Sequence, residues 1–185
     1  MKITLTENLK QKPDFKNLGF GKYFTDHMLY MEYVDGKWGE VEIRPFSDIA
    51  VNPASVVFHY GQEIFEGMKA YKNTDGKITM FRPRDNILRM NRSAKRLCMA
   101  ELPVDEVLEG IFELVRIEKD WIPTDPGTSL YIRPTMIANE NFLGVHPSKK
   151  YIFFVILSPV GSYYAHGLEP TRIYVEDVFN RAALG

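Results

Sequence analysis

The chain has 185 residues, 45% of them hydrophobic, and its 23 basic and 24 acidic side chains leave a formal charge of −1. That length supplies a core for one substantial domain without disulfides or a structural metal, and the balanced charge gives no electrostatic reason to expect nucleic acid or an anionic membrane as partner. Cys98 is the only cysteine, which excludes an internal disulfide and reads most simply as a reducing, cytoplasmic compartment.

Residues 1–12 are polar and lack the apolar stretch of a signal peptide, and the longest apolar run, residues 151–157, is too short to cross a bilayer. Residues 28–34 alternate loosely, and Asp35-Gly36 is a hairpin-type turn leading into a strand-like run at 39–44. A second hairpin is expected from residues 67–71 through the turn Asn73-Thr74-Asp75-Gly76 to residues 78–81.

Pro83 suits a first helical position, and Ile87, Met90, Ala94 and Leu97 recur at helical spacing up to Cys98. Pro103 opens another helix, with Val104, Val107, Leu108, Ile111, Leu114 and Val115 as its apolar stripe against Glu106, Glu109, Glu113 and Arg116. That helix should end before Pro123, after which residues 129–137, 151–157 and 171–175 read as strands. Strands, then two helices, then strands, without regular alternation, favour an α+β domain: a mostly antiparallel sheet with two main helices packed on it. No repeat or low-complexity tract is present, and the residues from Gly167 onward read as a linker. The final six residues have no cap or charged tail, which fits both a frayed terminus and a chain cut short.

Chemistry-bearing residues are fewer. At 100° per residue, Arg89, Arg92 and Arg96 fall opposite the apolar stripe of the first helix. They form either a solvated surface or an oxyanion site built from guanidinium forks, and spacing alone does not choose. Phe20, Tyr60, Tyr131, Tyr163 and Tyr164 stand beside glycines or polar groups, where they suit pocket walls and core packing equally well. Arg133 lies inside the strand-like Leu130-Tyr131-Ile132-Arg133-Pro134, where it must either emerge on a polar face or find a partner, such as an internal carboxylate or that of a substrate. His27, His59, His146 and His166 share no metal-ligand spacing with Cys98, so no zinc site is expected. Serine-nucleophile, Cys-x-x-Cys and phosphate-loop motifs are absent, against simple hydrolase and nucleotide-binding readings.

Several segments, taken in order, resemble one family. Phe20-Gly21, Phe24-Thr25-Asp26-His27-Met28, His59-Tyr60-Gly61-Gln62-Glu63-Ile64-Phe65-Glu66-Gly67-Met68-Lys69-Ala70-Tyr71 and Phe81-Arg82-Pro83 come first. Arg89-Met90, Arg92-Ser93-Ala94, Tyr131-Ile132-Arg133-Pro134, Leu143-Gly144-Val145 and Ser158-Pro159-Val160-Gly161-Ser162-Tyr163 follow. The set is similar to the branched-chain amino acid aminotransferases among the fold-type IV pyridoxal-phosphate enzymes, and specifically to their N-terminal small domain.

The resemblance implies that Arg89, rather than Arg92 or Arg96, binds the phosphate of pyridoxal phosphate. It implies that Phe20, Tyr60, Tyr131 and Tyr163 line a pocket for the aliphatic side chain of leucine, isoleucine or valine, with Arg133 near the substrate end. It further implies a homodimer in which the Leu143-Gly144-Val145 loop, with Val145 counted among the substrate contacts, reaches the neighbouring subunit's pocket. The reaction implied is amino transfer to 2-oxoglutarate through a lysine Schiff base. In the family that lysine follows shortly after the segment resembling Arg181-Ala182-Ala183-Leu184-Gly185, so no catalytic residue is assigned within the chain, and the chain alone is expected to have little or no transaminase activity and weak cofactor affinity. Residues 1–170 are then the small domain and 171–185 the interdomain linker with the start of a large domain. Lys69 is read as a surface or packing residue of its strand. Two other readings are weighed: a stand-alone dimerisation or binding module of the same fold, and another fold-type IV activity such as D-amino acid transaminase or aminodeoxychorismate lyase. The long N-terminal arm and the Phe20 and His59-Tyr60 segments argue against the latter.

Overall fold

In the computed structural model, which describes residues 1–162 and 169–179, the described chain folds as a mixed but mostly antiparallel sheet covered on one face by helices. Nine strands are found among those residues: β1 (Lys2–Ile3), β2 (His27–Val34), β3 (Lys37–Trp38), β4 (Glu42–Pro45), β5 (Glu63–Phe65), β6 (Met68–Lys72), β7 (Ile78–Met80), β8 (Ser129–Ala138) and β9 (Tyr151–Val160). The main path runs β1-β4-β2-β9-β8-β6-β7, with β3 paired to β2 and β5 to β8. Every pairing is antiparallel except β1 with β4. The helices are α1 (Val56–Tyr60), α2 (Pro83–Arg96) and α3 (Val104–Ile117).

Turn chemistry closes the hairpins as expected. Asp35 and Gly36 have φ of 54° and 80°, a pair of left-handed residues that joins Val34 to its partner Lys37 without splaying β2 from β3. At the second turn Gly76, with φ of 80°, donates its N–H to the Asn73 carbonyl.

Alternation on β8 sorts its side chains. Leu130, Ile132, Met136 and Ala138 are buried and join the main core, while Tyr131, Arg133, Thr135 and Ile137 are half-buried on the opposite face. The same main core contains Tyr151, Phe153, Val155 and Leu157 of β9, together with Ile87, Met90 and Ala94 of α2 and Val107, Leu108, Ile111, Leu114 and Val115 of α3. Helix α3 approaches the sheet closely because residue 110 is glycine: a Cβ there would sit 2.7 Å from Leu29 Cδ1 and 2.8 Å from Val41 Cγ1. On the other face Met28, Tyr30 and Ile152 form a smaller cluster with Phe46, Ile49, Ile137, Phe154 and Ile156.

A buried polar knot anchors the N-terminal arm. The His27 Nδ1 lies 2.6 Å from Glu118 Oε1, and the same oxygen accepts the His27 backbone N–H. With Nδ1 facing that carboxylate, Nε2 accepts the backbone N–H of Thr6. Asp26 next to it accepts the Lys10 backbone N–H and the Trp121 indole N–H. Burial pushes the Glu118 carboxyl upward, against the opposing hydrogen bond from His27.

Four expectations need correction. The strand read at 39–44 is split, since Gly39 donates to the Glu32 carbonyl and only Glu42–Pro45 pairs as β4. Leu97 is 43% exposed; the helix ends at Arg96, so the chain leaves the helical path before the stripe reaches it. Residues 171–175 form no strand: Ile173, Tyr174 and Val175 are exposed, and β-branched and aromatic residues without a paired edge among the described residues gain nothing from extended propensity. Finally α1, β5 and the parallel β1 appear where no element was expected.

Candidate functional site

The carboxylate of Glu66 is the pivot. Glu66 and Gly67 separate β5 from β6, and both strands pair with β8 on either side of this break, at Thr135–Ile137 and at Leu130–Ile132. The Glu66 N–H donates to the Pro134 carbonyl, which holds the break against β8. Its side chain, 5% exposed, faces Arg89 of α2: guanidinium Nε donates to Oε1 at 2.6 Å and Nη2 to Oε2 at 2.7 Å. Asn86, one helical turn before Arg89, donates to Oε2 at 3.1 Å, and the Gly67 N–H donates to the same oxygen at 3.2 Å.

Burial works to raise the Glu66 carboxyl, but the hydrogen bonds from Arg89, Asn86 and Gly67 outweigh it and hold the carboxyl below the ordinary range. The same hydrogen bond from Arg89 raises the guanidinium further. Both groups are therefore ionised at neutral pH. The Arg89 side chain is 59% exposed, and its Nη1 has no partner among the described residues. A charged fork with one edge taken by a carboxylate and the other open to solvent has the chemistry of a phosphate ligand.

Gly67 links this pair to the aromatic group. A Cβ at residue 67 would lie 2.2 Å from the Tyr131 hydroxyl, so only glycine lets the ring stand there. The Tyr131 oxygen accepts from Arg133 Nη2 at 2.9 Å and Nε at 3.3 Å. Arg133 is half-buried and meets this hydroxyl and the Phe65 ring, whose centroid is 4.4 Å from Cζ, rather than a carboxylate among the described residues. Phe20 completes the group, its ring centroid 5.0 Å from that of Tyr131. Lys69 is in register with Tyr131 on β6 and exposed, as expected of a strand surface residue.

Tyr60 and Val145 belong to a second group. The Tyr60 hydroxyl donates to the Leu143 carbonyl, so α1 ties down the 142–146 loop, within which the Phe142 and His146 rings lie 4.4 Å apart at a 44° tilt. A Cβ at residue 144 would come within 2.0 Å of the Phe142 ring, so any larger residue there would displace that exposed ring. Val145 projects outward, 88% exposed. No hydrogen bond or ring contact among the described residues joins Tyr60 or Val145 to the Tyr131 group. Tyr163 lies outside the described residues. Glu66, Asn86 and Phe65 were missed from sequence: the partnership of Glu66 with Arg89 spans 23 positions and depends on how α2 meets the sheet. Arg92 and Arg96 are exposed and carry no described ion pair, in keeping with a solvated helix face.

Among the described residues no group of three or more His, Cys, Asp or Glu side chains is placed to hold a metal ion. No helix among them is long and apolar enough to cross a membrane.

Solved structures share this fold. The crystal structure of the branched-chain amino acid aminotransferase of Escherichia coli aligns with a TM-score of 0.53 and 26% identity, over 74% of this chain and 40% of that one. A T.th. branched-chain amino acid aminotransferase, solved with pyridoxamine 5'-phosphate, aligns with a TM-score of 0.52 and 27% identity, over 72% and 40%. The mostly antiparallel sheet with its helices is thus the fold of the matched part of these aminotransferases. In sequence, the chain is 52% identical over 178 residues to branched-chain-amino-acid transaminase 1 of Bacillus subtilis, covering 95% of this chain and 50% of that protein. It is 49% identical over 186 residues to branched-chain-amino-acid aminotransferase 2 of the same organism, covering 100% and 51%. No family model matches the chain. The chain is thus a homologue of the branched-chain amino acid aminotransferases and spans about half the length of the curated relatives it matches.

Proposed function

We propose that these residues form the phosphate-binding and substrate-facing half of a transaminase that moves the amino group of leucine, isoleucine or valine to 2-oxoglutarate. The observation carrying this reading is the continuous linkage Arg89–Glu66–Gly67–Tyr131–Arg133, an open guanidinium joined through one dipeptide to a ring and a second cation. The names of the homologues supply the substrate class.

Arg89 binds the phosphate of pyridoxal phosphate through its open edge. When bound, the cofactor supplies the electron sink that stabilises negative charge at the substrate carbon. Phe20 and Tyr131 present apolar area to an aliphatic side chain, at roughly 25 cal/mol per Å² before binding costs, so discrimination among leucine, isoleucine and valine is modest. Arg133, held by Tyr131 and Phe65, stands ready for a substrate carboxylate. Tyr60 fixes the 142–146 loop, and that loop, with Val145 at its exposed tip, reaches the pocket of a second subunit in a cytoplasmic homodimer. The lysine that holds the cofactor and moves the proton belongs to the half of the relatives that this chain does not span, with residues 1–170 as the small domain and 171–185 as the linker.

The test is a chimera of this chain with the remaining half of the Bacillus subtilis transaminase 1. With pyridoxal phosphate, leucine and 2-oxoglutarate, the chimera should form glutamate, its Arg89→Ala variant should lose most activity, and the 185 residues alone should form none. Robust turnover by the 185 residues alone, or an Arg89→Ala chimera as active as its parent, would overturn the reading.

A further inference from the structure

Arg89 can meet a phosphate only if its long side chain is already aimed, and the structure shows what aims it. Oε1 of Glu66 accepts from Nε, Oε2 accepts from Nη2, and Oε2 is in turn held by Asn86 and the Gly67 N–H. The carboxylate is buried and the guanidinium exposed, so the taken edge of the fork faces the protein and the edge carrying Nη1 faces solvent. Such a planar group receives two anions in its own plane, one on each edge.

We propose that Glu66 is a positioning residue for phosphate recognition, holding the Arg89 guanidinium so that its free edge meets the cofactor phosphate. The proposal rests on the reading of Arg89 as the phosphate ligand. Two features separate it from an ion pair that serves only stability. The Glu66 backbone is fixed to β8 by its bond to Pro134, and the next residue, Gly67, abuts the Tyr131 hydroxyl. One dipeptide therefore sets both the aim of Arg89 and the seat of Tyr131, and so the separation between the phosphate end and the substrate end of the site.

The opposite sign is physically open, which makes the proposal testable. A negative charge beside Arg89 also repels a phosphate dianion; if that effect dominated, removing it would tighten binding. The 185-residue chain, labelled with 15N, is titrated with pyridoxamine phosphate, which has no aldehyde for lysines to trap, and in parallel with pyridoxamine. Before ligand is added, Arg89 should give a resolved Nε–H signal that Glu66→Ala abolishes. Binding should require the phosphate, be lost in Arg89→Ala, weaken about tenfold in Glu66→Ala, as loss of an orienting partner does, and recover in part in Glu66→Gln. If Glu66→Ala does not fold, Glu66→Gln and Asn86→Ala decide, each weakening phosphate-dependent binding at unchanged fold. Affinity in the Glu66 variants equal to or tighter than that of the parent, with Arg89→Ala still inactive in binding, overturns the positioning role and leaves the phosphate reading intact. Binding that ignores the phosphate, or survives Arg89→Ala, overturns both.

Discussion

The Tyr131 hydroxyl occupies the place where a side chain on Gly67 would begin, 2.2 Å from the position of its Cβ. Gly67→Ala therefore forces the ring away and breaks the two bonds it accepts from Arg133. Overpacking of this kind costs about 1–3 kcal/mol. In the chimera the expected outcome is a raised KM for leucine, accompanied by a lower denaturation midpoint. Unchanged KM and midpoint would show that the ring relaxes freely.

Gly110 has the same relation to the core that Gly67 has to the site. Gly110→Ala brings a methyl within 2.8 Å of Leu29 and Val41, two buried side chains under α3. The gain in helix propensity, about 1 kcal/mol, is outweighed if neither neighbour can shift, giving a net loss of about 1–2 kcal/mol. Urea denaturation of the 185-residue chain followed by circular dichroism reads it. A midpoint at or above that of the parent would show that α3 can lift from the sheet.

Much of this architecture was legible because its signals are local. The alternation Leu130/Ile132 against Tyr131/Arg133 marks β8 and already places both site residues on one face. Asp35-Gly36 and Asn73–Gly76 fix two hairpins by backbone preference, and the stripes of α2 and α3 are long enough for their period to show. Helix α1 has five residues and β5 three, too few for any period, and β1 is a strand only because β4 lies beside it. The site was less legible. Spacing alone left Arg89, Arg92 and Arg96 equivalent, and the choice of Arg89 came from the family resemblance. Its carboxylate partner could not be seen in a linear reading, because nothing local distinguishes Glu66 from Glu63 until β5 and β6 are placed against β8.

Glu118 carries another long-range polar contact, with a structural consequence. It is the acceptor for both the His27 N–H and the His27 ring, in a buried position 91 residues away in sequence. Glu118→Ala leaves those groups without an acceptor and should cost about 2–4 kcal/mol. Because His27 Nε2 holds the Thr6 N–H, the arm should loosen as well. Hydrogen exchange of the Thr6 and Lys10 amides checks this: faster exchange than that of the β8 amides, relative to the parent, is expected. Protection of Thr6 that survives the substitution would show that Asp26 and Lys10 hold the arm without His27.

The Glu66–Arg89 pair also sets an acid dependence whose sign follows from its ionisation. Burial favours the neutral carboxyl, but donation from Arg89, Asn86 and Gly67 prevails, so the folded pKa lies below the ordinary value. A carboxyl depressed on folding contributes stability above its unfolded pKa, about 4.3, and that contribution is lost as pH falls through the folded value. Arg89 stays charged throughout this range. Glu66→Gln cannot titrate, so the stability difference between parent and variant should be constant from pH 7 to about 5 and shrink below about pH 4. Glu113, depressed by Arg116, and Glu118, raised by burial, are present in both proteins and cancel in that difference. Urea midpoints measured from pH 7 to pH 3 provide the check. Two curves that stay parallel to pH 3 would mean that Glu66 is not the ionised partner of Arg89.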